Sequence, residues 1–204
     1  MSNDTVKDDI AYMRTLAEHG RKGPIFGGTF LAAAGIVFGI ACLVQWAAIN
    51  GRLAISDRQM HWIWTGAYVV FAVIWLALWF RLRGRRRAVA PNASNAVFGV
   101  AWIVNAVGLL AAYGTTTIAA SITKTPELLY AFIPMIFIFY GIAWGLSAVM
   151  ARRRWMYLPA AASFGFAFAV AALTGNPAEL AVVGVAIVIL LTPPGLKLMV
   201  EEPK

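Results

Sequence analysis

Six stretches of this 204-residue chain are apolar for roughly the twenty residues that a helix needs to cross about 30 Å of hydrocarbon, and together they take up most of the sequence. That pattern limits the fold more than any single motif. It predicts an all-α, polytopic membrane protein with spans at about 24–49, 59–80, 94–122, 127–150, 155–173 and 178–192. Short connections make sequential helices antiparallel neighbours in one bundle. Composition agrees: 61% of residues are hydrophobic and 13% charged, against about 45–50% and about 25% in soluble domains. No segment of ordinary composition is long enough for a separate soluble domain. Residues 1–23 form a polar N-terminal segment and 193–204 a polar tail.

Charge sets the expected orientation. Arg81, Arg83, Arg85, Arg86 and Arg87 follow span two, and Arg152, Arg153 and Arg154 follow span four. Hydrocarbon excludes such clusters, and Lys and Arg flanking spans are retained on the cytoplasmic side. With both termini inside, fourteen of the seventeen Lys and Arg residues are cytoplasmic, and only Arg52, Arg58 and Lys124 lie outside. Five or seven spans would strand one arginine cluster on the wrong face. The net charge of +8 is thus explained by topology and by attraction to anionic headgroups. Nucleic acid is not an expected partner, because no basic patch on a soluble fold is present.

Local signals place the ends. Val6, Ile10, Met13 and Ala17 recur at helical spacing, predicting a short amphipathic helix along the cytoplasmic surface or against a partner. Ser56 and Gln59 read as a capping box, and Asn176-Pro177-Ala178-Glu179 as a cap with proline at N1 and glutamate at N3. Trp62 and Trp64 at one end of span two, with Trp75 and Trp79 at the other, match aromatic belts. Span three is long enough to tilt, protrude or break, with Gly114-Thr115-Thr116-Thr117 the weakest point. Pro134 is a kink site in span four, and Thr192-Pro193-Pro194-Gly195 ends or sharply bends span six. Gly35 with Gly39, and Gly141 with Gly145, are GxxxG pairs that permit close helix approach, within the bundle or in a homodimer.

No ionisable residue falls clearly at mid-membrane, where one is read as functional by default. That excludes the buried carboxylate or histidine relay of a proton pump and the span lysine of a retinal protein. His19 and His61 belong to opposite faces and cannot share a haem. Cys42 is alone, so no intrachain disulfide or cysteine-based metal motif exists. HExxH, GxSxG and P-loop sequences are absent, and Ser121, Ser147 and Ser163 lack a triad context. No catalytic, cofactor or metal site is expected. A metal at His61 would need Asp57, Glu127 or Glu179 beside it.

Asn105 and Gln45 are the informative intramembrane polar residues, suited to interhelical hydrogen bonds or to lining a solute path. Glu127 and Glu179 open helices and complement their dipoles. The sharper alternative gathers Arg52, Arg58, His61, Lys124, Glu127 and Glu179 into an outer vestibule. The segment Asp8-Asp9-Ile10-Ala11-Tyr12-Met13-Arg14 and the six-span layout resemble uncharacterised bacterial six-helix inner-membrane proteins; the resemblance implies topology and no activity. The functional expectation is a non-enzymatic scaffold, accessory subunit or regulator, touching the bilayer and a membrane or cytoplasmic protein. The alternative is a small transporter or channel.

Overall fold

The computed structural model describes residues 25–88 and 93–201, without the side chains at 57, 82, 84–88 and 93. The N-terminal amphipathic segment, the turn at Pro91 and the end of the tail lie outside the described residues. Six helices long and apolar enough to cross a membrane carry the fold: α1 (Gly28–Ile49), α2 (Asp57–Ala88), α3 (Ala93–Thr123), α4 (Phe132–Ala151), α5 (Tyr157–Ala172) and α6 (Glu179–Glu201). Two 3-10 turns, Pro126–Ala131 and Arg154–Met156, precede α4 and α5. The chain is a multi-pass, all-α bundle. For reference, face A is where α1 starts and α6 ends, and face B is the opposite one.

Several helix limits depart from the sequence reading, each for a local reason. α2 continues through the arginine run to Ala88, because arginine is a good helix former and hydrocarbon no longer constrains the chain there. α3 is unbroken at Gly114. Its Thr115, Thr116 and Thr117 hydroxyls donate to the carbonyls of Ala111, Ala112 and Tyr113, so the run satisfies itself without opening the helix. Pro134 is the third residue of α4, where the missing N–H has no partner within that helix to lose; the irregularity falls earlier, in the 3-10 turn begun by Pro126. α6 runs through Pro193 and Pro194 to Glu201 rather than ending there. Membrane helices tolerate such residues where neighbouring helices pack around the freed backbone, and α1 packs at this point.

The tightest pairing joins the first and last helices. Gly28, Ala32, Gly35 and Gly39 of α1 recur at helical spacing and face Gly195, Leu191, Val188 and Gly184 of α6. A Cβ on Gly195 would lie 2.6 Å from the Gly28 carbonyl oxygen and 2.7 Å from the Ala32 nitrogen. One on Gly184 would lie 3.0 Å from the Gly39 carbonyl oxygen. Backbone therefore touches backbone, and Gly35 and Gly39 are spent inside the bundle. The second GxxxG is different: the Phe164 ring of α5 covers Gly141, while nothing lies within 4 Å of a Cβ on Gly145.

From this pair the helices follow in the order α2, α1, α6, α5, α4, α3. The core lies among α4, α5 and α6, where Phe137, Trp144, Met156, Val170, Ala186 and Leu198 are fully buried. Sequential neighbours pack, with one exception that corrects the expectation: α2 and α3 do not lie along each other. Among the described residues α2 leans chiefly on α1, through an aromatic seam of Trp64, Tyr68, Phe71 and Trp75 at spacings of four, three and four. Phe38 meets Tyr68 and Phe71 at ring distances of 5.5 and 5.1 Å, and Phe30 meets Trp75 at 6.2 Å. Trp64 and Trp75 are thus packing residues before they are belt residues. Face A is closed by a hydrogen bond from the Phe26 N–H to Asn95 Oδ1 (2.8 Å) and by an Arg153–Glu201 ion pair.

Candidate functional site

Gln45 is an interhelical hydrogen-bonding residue. Its Oε1 accepts the Trp64 indole N–H at 2.7 Å and pins α2 to α1 near face B. Asn105 does the opposite. It is 7% exposed, and its carboxamide oxygen has no donor. It sits one turn from Trp102, which meets the Tyr140 and Trp144 rings of α4 at 6.0 and 5.2 Å, and one turn from Gly108, whose surface is covered by Phe139. Asn105 therefore faces α4 between two packed layers. Trp102 Nε1 beside it is also buried without a partner.

The six residues expected to share a vestibule belong to the face B ends of their helices, and among the described residues no hydrogen bond or ion pair joins one to another. The Arg52 guanidinium stacks on Trp46, 4.6 Å from the ring. His61 lies against Trp62, 4.7 Å between rings, and both are exposed. Arg58, Lys124 and Glu127 are exposed, and among the described residues no ion pair joins any of the six. Lys124 ends α3 with a positive φ of 55°. Glu127 occupies the first 3-10 turn behind Pro126, as dipole complementarity predicts. Among the described residues no three His, Cys, Asp or Glu side chains form a group able to hold a metal ion.

Glu179 alone is buried, at 5% exposure. Gly175, at φ +77°, turns its N–H to Glu179 Oε2 (3.1 Å), while Asn176 Oδ1 caps the Ala178 N–H (2.8 Å). The capping logic of the sequence holds, with the glutamate reaching one residue further back than a capping box would. Glu179 Oε1 is left buried without a donor. At the first turn of α2 the Ser56 N–H and hydroxyl both donate to Gln59 Oε1, as expected.

Face A has its own cluster. Arg153 pairs with Glu201, Lys197 sits 4.5 Å over the Trp155 ring, and Trp155 continues into Trp144 at 6.1 Å. Arg152 closes α4 in the left-handed conformation (φ 51°). Ser147 and Ser163 are buried and donate to the carbonyls four residues back, so their hydroxyls are occupied within their own helices.

Sequence reasoning passed over the tyrosines. Tyr130 and Tyr157 occur at helix ends, where aromatic belts place them. Tyr68, Tyr113 and Tyr140 fall near mid-span on three different helices, and that departure from the belt rule was the available signal. Comparison with known protein families, curated proteins and solved structures found no match.

Proposed function

We propose that this is a non-enzymatic protein of the bacterial inner membrane that works by contact, as an accessory subunit, scaffold or regulator of another membrane protein. Both termini are read as cytoplasmic, which puts face A inside, because fourteen of the seventeen basic residues flank that face. The observation that carries the reading is the position of α2. Only 6% of its most apolar window is buried, against 33–44% in α1, α4, α5 and α6. Beside the seam it gives to α1, it presents a second stripe of Trp62, Val69, Val73, Leu76 and Phe80 at helical spacing, all exposed. Gly66 lies open along it, with nothing within 4 Å of a Cβ. An open small residue flanked by large ones suits a close-packing partner helix.

Gentle extraction followed by native mass spectrometry tests this. A stoichiometric heterologous partner is expected, and Gly66→Leu is expected to release it while leaving the monomer folded. A lone monomer from the native membrane refutes the contact reading. The transport alternative has less support. Its Gln45 is engaged with Trp64, and the Phe98, Trp102, Trp144 and Trp155 rings stack towards face A across any path past Asn105.

A further inference from the structure

Three consecutive arginines turn the chain from α4 into α5 at face A, and the structure divides their work. Arg153 is partly buried and pairs with Glu201 of α6. Arg152 and Arg154, on either side of it, are exposed, and among the described residues neither has a carboxylate partner. Arg152 keeps its place in the left-handed conformation (φ 51°), where glycine or asparagine is usual at a helix end. Two guanidiniums are thus held out at the membrane boundary while the middle one ties the turn to α6.

Beneath this turn α4 and α5 meet through the Phe164 ring over Gly141. Gly145, Val149 and Arg152 follow Gly141 at spacings of four, four and three, so they continue along the same side of α4. On α5, Leu158, Ala161, Gly165 and Phe168 recur at spacings of three, four and three, and all are exposed. Nothing lies within 4 Å of a Cβ on Gly145 or Gly165. The two stripes flank the Phe164–Gly141 contact and form a shallow apolar groove, with Val149 on one wall and Leu158 and Phe168 on the other. At 1.5 Å per residue the two open glycines lie about 10 and 16 Å from the arginine turn. The groove therefore runs from the arginines into the hydrocarbon.

Any acyl chain can lie in such a groove, so the arginines decide which lipid stays. A guanidinium presents a planar fork that matches the oxygens of a phosphate. A choline or ethanolamine headgroup adds an ammonium that needs a carboxylate, and among the described residues the only carboxylate at face A, Glu201, is held by Arg153. Charge complementarity thus selects a headgroup of net negative charge. We propose that the outer groove between α4 and α5 holds one anionic phospholipid, its phosphate on Arg152 and Arg154 and an acyl chain along Gly145 and Gly165. This site is separate from the outer stripe of α2 and stands or falls independently of the contact reading.

The test is titration of the full-length protein in detergent micelles with phosphatidylglycerol, read by native mass spectrometry as lipid retained per monomer. One tightly retained phosphatidylglycerol is expected, and phosphatidylcholine with the same chains is expected to be lost. Each arginine beside an anionic headgroup contributes about fivefold, so Arg152→Gly with Arg154→Gln weakens binding by about 25-fold. Glycine suits the left-handed backbone at 152, which keeps this variant folded, and thermal unfolding checks it. Arg81→Gln with Arg83→Gln removes the same charge from the same face and leaves binding unchanged. Gly145→Leu and Gly165→Leu fill the groove and weaken binding with both arginines intact. An equal loss in the Arg81 and Arg83 variant, or equal retention of phosphatidylcholine, overturns the proposal, since either reports only general attraction to a basic face or to any lipid. Displacement by glycerophosphoglycerol, the headgroup without chains, at equal concentration also overturns it, because the ligand is then a free phosphoester and the groove plays no part.

Discussion

Replacing Gly195 by alanine adds one methyl group where α6 meets α1, and the structure fixes what that methyl strikes. It would stand 2.6 Å from the Gly28 carbonyl oxygen and 2.7 Å from the Ala32 nitrogen. The first distance is about 0.7 Å inside the roughly 3.3 Å at which carbon–oxygen contacts become favourable. Both obstacles are backbone, so no rotamer change relieves the clash, and the helices must part. A gap of about 0.5–1 Å forfeits roughly a quarter to a half of each dispersion contact along the seam, including those at Gly35, Gly39 and Gly184. Lipid is as apolar as the side chains, so no hydrophobic gain offsets the loss. Overpacking of this kind costs about 1–3 kcal/mol, while alanine returns up to about 1 kcal/mol of helix propensity. Gly195→Ala is therefore expected to destabilise by about 0–2 kcal/mol net, and by about 1–3 kcal/mol relative to alanines that meet no clash, measured by reversible unfolding of the micelle-embedded protein in a denaturing detergent. Gly145→Ala and Gly114→Ala, with nothing within 4 Å, serve as controls and should be neutral or slightly stabilising. If Gly195→Ala matches those controls, α1 and α6 are not held by this glycine seam.

Two other substitutions probe the polar groups within the membrane. The Gln45–Trp64 bond should contribute about 0.6 kcal/mol, and at most about 1.7, in a double-mutant cycle of Gln45→Leu and Trp64→Phe; zero coupling in the same unfolding assay would mean that the bond does not hold α2 to α1. Asn105→Leu removes a buried carboxamide whose oxygen has no donor, a burial that costs about 1–3 kcal/mol, and should raise stability; a loss of stability would show that Asn105 has a structural partner instead.

The number and order of the spans were legible because they depend on one-dimensional properties: run length, charge at the ends and caps such as Ser56–Gln59. Each reports the transfer of a local segment into hydrocarbon. The same logic misplaced the end of α6, since proline breaks helices in water but is tolerated where α1 packs against the freed backbone. The candidate site was less legible. Asn105 and Gln45 read alike in sequence, yet only Gln45 found a donor.

What the sequence determined by itself was six apolar helices and which ends share a face. Which helices touch was decided only in three dimensions. A membrane helix is apolar on every side, so the 3.6-residue period that reveals the buried face of a soluble helix carries little signal. Gly35-xxx-Gly39 announces a close contact but names no partner, and its partner lies some 150 residues away around Gly184 and Val188. Shape complementarity between those two surfaces sets the α1–α6 pairing. That pairing leaves α2 held chiefly by its seam with α1.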